Sequence, residues 1–143
     1  MSIYKASLQT VQDSVSDKTR PVNYNGTVFY ARSVYVPTGS EASGSVIELG
    51  TIPEGSRLLA LSEVHFEAGQ NASLTVKVGD ADDDDRYFAS AAPGASAVTK
   101  KLAGNARGDH LVTQVTKKIL LTTGGAALTA SKKIVADLYY VCQ

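Results

Sequence analysis

The chain has 143 residues, 14 basic against 14 acidic side chains, and a formal net charge of zero. That length suits about one domain able to bury roughly two thirds of its unfolded surface, and balanced charge provides no long-range field to steer it toward nucleic acid or an anionic membrane. No run approaches the roughly 18 apolar residues of a spanning helix, the opening seven residues lack the apolar core of a secretory signal, and the single Cys142 excludes an internal disulfide framework or a Cys-rich zinc site.

Residues 1–25 are polar and weakly patterned. Ile3, Leu8, Val11 and Val15 approach a helical spacing, but Ser, Thr, Asp and Gln crowd the stretch and Arg20-Pro21 ends it. A short amphipathic helix and an extended arm that orders only against a partner both fit. The small apolar area favours the arm, since little can be buried without a partner.

From Gly26 the period changes to that of strands. "GTVFYARSVYV" (26–36) is dense in β-branched and aromatic residues, and "YVPTGSEASGS" turns the chain. "SVIELG" (45–50) predicts a short strand closed by "TIPEG". "RLLALSEVHFE" (57–67) predicts one strand, with Leu59, Leu61, Glu63 and His65 on one face and Leu58, Val64 and Phe66 on the other. "SLTVKVG" (73–79) alternates cleanly, which is the mark of a half-buried strand.

After an aspartate-rich loop come "RYFAS", "SAVTKKL" (96–102), "HLVTQV" (110–115), "KKILLTT" (117–123) and a terminal "KIVADLYYV" (133–141). No stretch carries a helix with caps at both ends. Roughly eight short strands at about ten-residue spacing predict an all-β domain over 26–143, a two-sheet antiparallel sandwich of jelly-roll type behind a polar N-terminal arm, residues 1–25.

"KVGDADDDDRYF" (77–88) holds five aspartates in six positions. Asp80, Asp82 and Asp84 fall at the first three ligand positions of a calcium loop, but Asp85 stands where that loop needs Gly and Ala91 where it needs a bidentate Glu. A solvated turn is the better reading, because Asp side chains bond nearby backbone amides. Arg86 then pairs with one of these carboxylates or with one on a neighbouring subunit.

His65 and His110 lack the further ligands of a zinc site. No Gly-x-Ser-x-Gly elbow or P-loop ending is present, so no enzymatic constellation emerges. Lys100-Lys101 and Lys117-Lys118 send one charge to each face of their strands and make no stripe. "RGD" at Arg107–Asp109 reads as an ordinary loop.

"VIELGTIPEGSRLLALSEVHFEAGQNASLTVKVGDADDDDRYF" (46–88) and the closing "VADLYYVCQ" resemble the small jelly-roll virion proteins of tailed bacteriophages. The marks are the turn Pro53-Glu54-Gly55, then Gly79-Asp80 with its acidic loop and the pair Tyr87-Phe88. The resemblance implies a capsid cement or decoration protein, made in the bacterial host cytoplasm and carried on the outer surface of the virion head. Its implied partners are the major capsid protein and itself, as homodimer or homotrimer, with no enzyme activity, cofactor, metal, membrane or direct nucleic-acid contact.

Similar modules serve in phage tails and fibres, so the alternative is a calcium-assisted carbohydrate- or receptor-binding β module. The contact residues expected are Ile3, Tyr4 and Leu8 on the arm and Asp82, Asp84 and Arg86 on the loop. Each apolar side chain sealed at such a contact contributes about 1.5–3 kcal/mol.

Overall fold

The computed structural model describes residues 27–102 and 115–142. The arm, with Ile3, Tyr4 and Leu8, lies outside the described residues, as do RGD, His110 and nearly all of the 110–115 strand.

The described residues form nine strands: β1 (Val28–Tyr35), β2 (Val46–Ile52), β3 (Ser56–Leu58), β4 (Glu63–Phe66), β5 (Thr75–Gly79), β6 (Phe88–Ala91), β7 (Val98–Lys101), β8 (Lys117–Gly124) and β9 (Ile134–Cys142). Their antiparallel pairings are nested: β5 pairs β6, β4 pairs β7, β2 pairs β8 and β1 pairs β9. A long two-stranded ribbon has in effect been rolled up. Further bonds from β9 to β4 and from β8 to β5 close the roll.

One sheet has the order β1-β9-β4-β7, with β3 added beside β9, and the other has the order β2-β8-β5-β6. This is the two-sheet jelly roll expected from the strand spacing.

Period-two patterning decides what fills the space between the sheets. Val76 and Val78 of β5, Ile119 and Leu121 of β8, Val64 and Phe66 of β4 and Ile134, Ala136 and Leu138 of β9 are all buried. Ile47, Leu49 and Ile52 of β2 and Leu58 of β3 join them, with Leu74, Tyr87, Leu102 and Leu128 from just outside the strands.

The basic pairs divide as strand geometry requires. Lys118 reaches Glu48 at 2.6 Å and Lys101 reaches Glu63 at 2.8 Å on the outer faces, whereas Lys117 turns to the sandwich rim and meets Asp82.

Two expectations are corrected. The stretch 57–67 is two strands, because Leu59 to Ser62 make a tight turn closed by the Ser62 N–H donating to the Leu59 carbonyl at 2.9 Å. Buried Ser62 substitutes for the missing ladder. Its Oγ donates to the Tyr139 carbonyl at 3.1 Å and accepts the Tyr139 N–H at 2.9 Å.

The strand from 45 does not stop at Gly50. A bulge between Glu48 and Gly50 inserts Leu49 and shifts the phase, so Leu49 and Ile52 are both buried although three positions apart. Gly50 also lets the facing sheet approach closely. A Cβ there would stand 2.7 Å from Leu138 Cδ1 of the facing sheet.

Phe66 lies in the sealed centre, 1% exposed. Phe66→Ala is therefore expected to lower the unfolding free energy by about 3–5 kcal/mol in urea titration. Val46→Ser, on an exposed position, should change it by no more than about 0.5 kcal/mol.

Candidate functional site

The aspartate loop leaves β5 at Gly79, where any side chain would collide with the Asp83 carbonyl as the chain doubles back. The Asp80 N–H donates to that carbonyl at 2.9 Å. The Asp80 carboxylate is turned inward: its Oδ1 accepts the N–H groups of Asp82 at 2.9 Å and Asp83 at 3.1 Å. Its Oδ2 lies 2.8 Å from Arg86 Nε, and the Asp80 side chain is only 2% exposed. A buried carboxylate is tolerated because backbone donors and a guanidinium surround it.

Tyr87 then enters the core, its N–H donating to the Val78 carbonyl at 3.0 Å to restart the ladder. Burial, followed by the nearby Asp80 charge, pushes its phenol up to about 12.

The other carboxylates are shared out along the surface. Asp82 pairs with Lys117 and Asp84 with Lys77. The hydrogen bond and charge of Lys117 hold Asp82 below the ordinary carboxylate range, while a hydrogen bond with Asp83, followed by slight desolvation and the neighbouring Asp83 and Asp84 charges, holds Asp85 above it.

The three positions of the calcium pattern, Asp80, Asp82 and Asp84, therefore each face a different cation. The carboxylates that do converge are those of Asp83, Asp84 and Asp85, all exposed, with ligand oxygens within 4.8 Å of one another. Three of the five carboxylates are thus matched by cations of the same chain, and Arg86 is spent on Asp80 rather than held out to a neighbour.

His65 occupies a shallow groove with Arg32, Glu63, Thr99 and Asp137. Its Nδ1 lies 3.0 Å from Thr99 Oγ1. Glu63 is paired with Lys101 and Asp137 with Arg32. Among the described residues, no carboxylate is bonded to the second ring nitrogen, so the hydroxyl–imidazole contact lacks an orienting acid.

A different surface departs from ordinary strand patterning. On β1, Val28, Tyr30 and Val34 are each more than half exposed, and Phe29 is 42% exposed. The register sets Val28 beside Val141, Tyr30 beside Tyr139, Arg32 beside Asp137 and Val34 beside Val135 on the outer face. The Tyr30 and Tyr139 rings lie 4.8 Å apart, and on the inner side Phe29 stacks on Tyr140 at 5.3 Å.

The only charges in this strip neutralise one another. Arg32 donates to both Asp137 oxygens at 2.7 and 2.9 Å, and the Tyr30 hydroxyl donates to Oδ1 at 2.7 Å. The Arg32 bonds hold the Asp137 carboxyl below its ordinary range. Composition alone missed this surface, because a run of β-branched and aromatic residues reads as core. The available signal was the lack of alternation in "VFYARSVY".

No family model matches the chain, and no curated protein matches it. Among solved structures, a chain in the capsid of Ralstonia phage GP4 is 18% identical, with TM-score 0.66 over 82% of this chain and 86% of that one. A chain in the cyanophage Pam1 capsid asymmetric unit is 17% identical, with TM-score 0.53 over 83% and 86%. One in the acid-stable capsid of Helicobacter pylori bacteriophage KHP30 is 15% identical, with TM-score 0.52 over 80% and 86%.

Two predictions follow from the loop and the strip. Asp80→Ala strands the largely buried Arg86 charge and should lower stability by about 2–4 kcal/mol. Asp83→Ala, exposed, should cost less than about 0.5 kcal/mol by the same urea titration.

Asp82 and Asp137, depressed when folded, stabilise the protein above about pH 4, the unfolded carboxylate value, and that contribution is lost as pH falls through their folded values. Melting followed by circular dichroism should therefore show a falling Tm below about pH 4. Asp137→Asn should lower Tm at neutral pH and flatten part of the acid decline. At identities of 15–18% the three likenesses establish a common sandwich fold, and the chain takes that fold.

Proposed function

We propose that the chain is a structural virion protein that binds the outer surface of a phage head and clamps neighbouring major capsid subunits. The carrying observation is the match of four fifths of the chain to chains in three phage capsids, and the open apolar strip on β1 and β9 supports it. An exposed run of Val and Tyr is costly in water and useful at a contact.

Zero net charge suits docking on protein better than docking on DNA, whose binding is dominated by phosphate neutralisation. In this reading the polar arm of residues 1–25 adds affinity by ordering across the shell through Ile3, Tyr4 and Leu8. Repetition on a symmetric lattice then multiplies weak contacts. Copies also contact one another, and the protein acts without catalysis or a cofactor.

The decisive experiment mixes the purified protein with heads of its phage that lack it and sediments them. The full chain should travel with the shells. A version without residues 1–20 should bind at least about tenfold more weakly while its β-sheet spectrum is unchanged, a loss of roughly 1.4 kcal/mol or more. Equal binding by the truncated chain would remove the arm from the mechanism, and absence of binding by the full chain would refute the head reading.

The rival, a calcium-assisted sugar- or receptor-binding module, draws on the carboxylates of Asp83, Asp84 and Asp85. It requires that a chelator lower Tm and that Asp83→Asn with Asp85→Asn abolish this response. An indifferent melt would eliminate it.

A further inference from the structure

Among the described residues, strand β1 forms one end of its sheet and pairs only with β9. The backbone of β9 reveals which groups of β1 are left over. The Tyr139 N–H and carbonyl are both used on the far side, by Ser62 Oγ at 2.9 Å and the Leu59 N–H at 2.8 Å. In an antiparallel ladder such groups alternate sides from residue to residue.

Leu138 and Tyr140 therefore face β1 and bond with Ala31 and Phe29. The N–H and carbonyl groups of Val28, Tyr30, Arg32 and Val34 then point off the edge of the sheet. Nothing in the strand blunts that edge. Its eight residues run in unbroken register, with no bulge, Pro or Lys, and Asp137 neutralises its one charge. Long, unbroken, largely apolar edges of this kind are templates for another strand.

We infer that the occupant is β1 of a second copy, paired antiparallel about a two-fold axis through Ala31, so that the two sheets become one. This deepens the self-association in the proposed function and does not depend on shell binding.

The register follows from the side chains. With the axis at Ala31, hydrogen-bonded pairs form between Tyr30 and Arg32 of the other copy and between Val28 and Val34 of the other copy. An Arg guanidinium beside a Tyr ring and Val beside Val are favourable cross-strand neighbours. At the axis itself the two small Ala31 side chains face each other on the inner side, where Ala31 is exposed. Moving the axis to Arg32 would set two guanidiniums opposite each other, and like charges in that position destabilise. Axes at Tyr30 or Ser33 shorten the overlap.

The test uses the full chain with Cys142→Ser to remove the native thiol. Sedimentation equilibrium should detect a species of twice 15.0 kDa. Mild oxidation of Ala31→Cys should convert it to a covalent dimer, since directly opposed positions at a wide pair lie about 4.5 Å apart, within disulfide reach. Ser33→Cys, opposite Phe29, should stay largely uncrosslinked. Val34→Pro removes an outward N–H without touching the ladder to β9 and should abolish association.

In the unmutated chain, exchange of the Tyr30 and Arg32 amides should slow about tenfold or more as concentration rises through the association range. A monomer at every concentration, an oligomer untouched by Val34→Pro, or no Ala31→Cys cross-link would each overturn the pairing. Amide protection independent of concentration and lost on deleting residues 1–25 would assign the edge to the chain's own arm, also overturning it. A monomer that still sediments with shells would defeat this inference alone, whereas a cross-linked dimer that ignores shells would defeat the head reading alone.

Discussion

Strand β9 has to be hydrogen-bonded along both edges at once, and the rest of the molecule is arranged around that demand. On one side β1 pairs with it from Val28 to Tyr35. On the other, β3 and β4 share it, with Ser62 filling the gap between them. A buried strand cannot leave amides unpaired without losing the free energy of each missing bond. That is why a serine is sealed in an apolar setting at a tight turn. Because the first and last of the described strands pair, the roll closes only when both are present, and most stabilising contacts join residues far apart in sequence.

The same principle explains the aspartate loop. Five carboxylates in six positions suggest a site for a cation, yet the chain brings its own cations to three of them. Arg86 comes from the loop itself, Lys77 from the preceding strand and Lys117 from β8. Asp80 differs in kind from its neighbours. It is the buried organiser that holds two backbone amides, while the others decorate the rim. Charge density at the surface and structure beneath it thus have different owners within one short segment.

The β1–β9 strip shows the opposite economy. Its apolar and aromatic side chains are left in contact with solvent, and its two charged side chains, Arg32 and Asp137, pair with each other and with the Tyr30 hydroxyl. A face whose charged side chains already pair with one another loses less on being covered, since the pair is desolvated together. The second surface, the loop, carries three ion pairs and a cluster of exposed carboxylates, and such charges are costly to bury. An adhesive role is therefore better served by the strip.

Much of the architecture was legible in the residues. The alternation of Leu74, Val76 and Val78, the β-branched runs and the spacing of turns led to an all-β sandwich, because a two-residue period and a half-buried strand are one physical fact. Local patterning could not reveal the break between β3 and β4, whose turn contains neither Gly nor Pro and exists because Tyr139 supplies its partners from 77 residues away. Nor could it reveal the bulge at Leu49, which answers to Leu138 across the core. The identity of Arg86's partner, the dispersal of Asp82 and Asp84 to separate lysines and the exposure of β1 were likewise decided only by the fold. Each depends on which strand lies alongside, and a linear pattern specifies a strand's two faces without naming its neighbours.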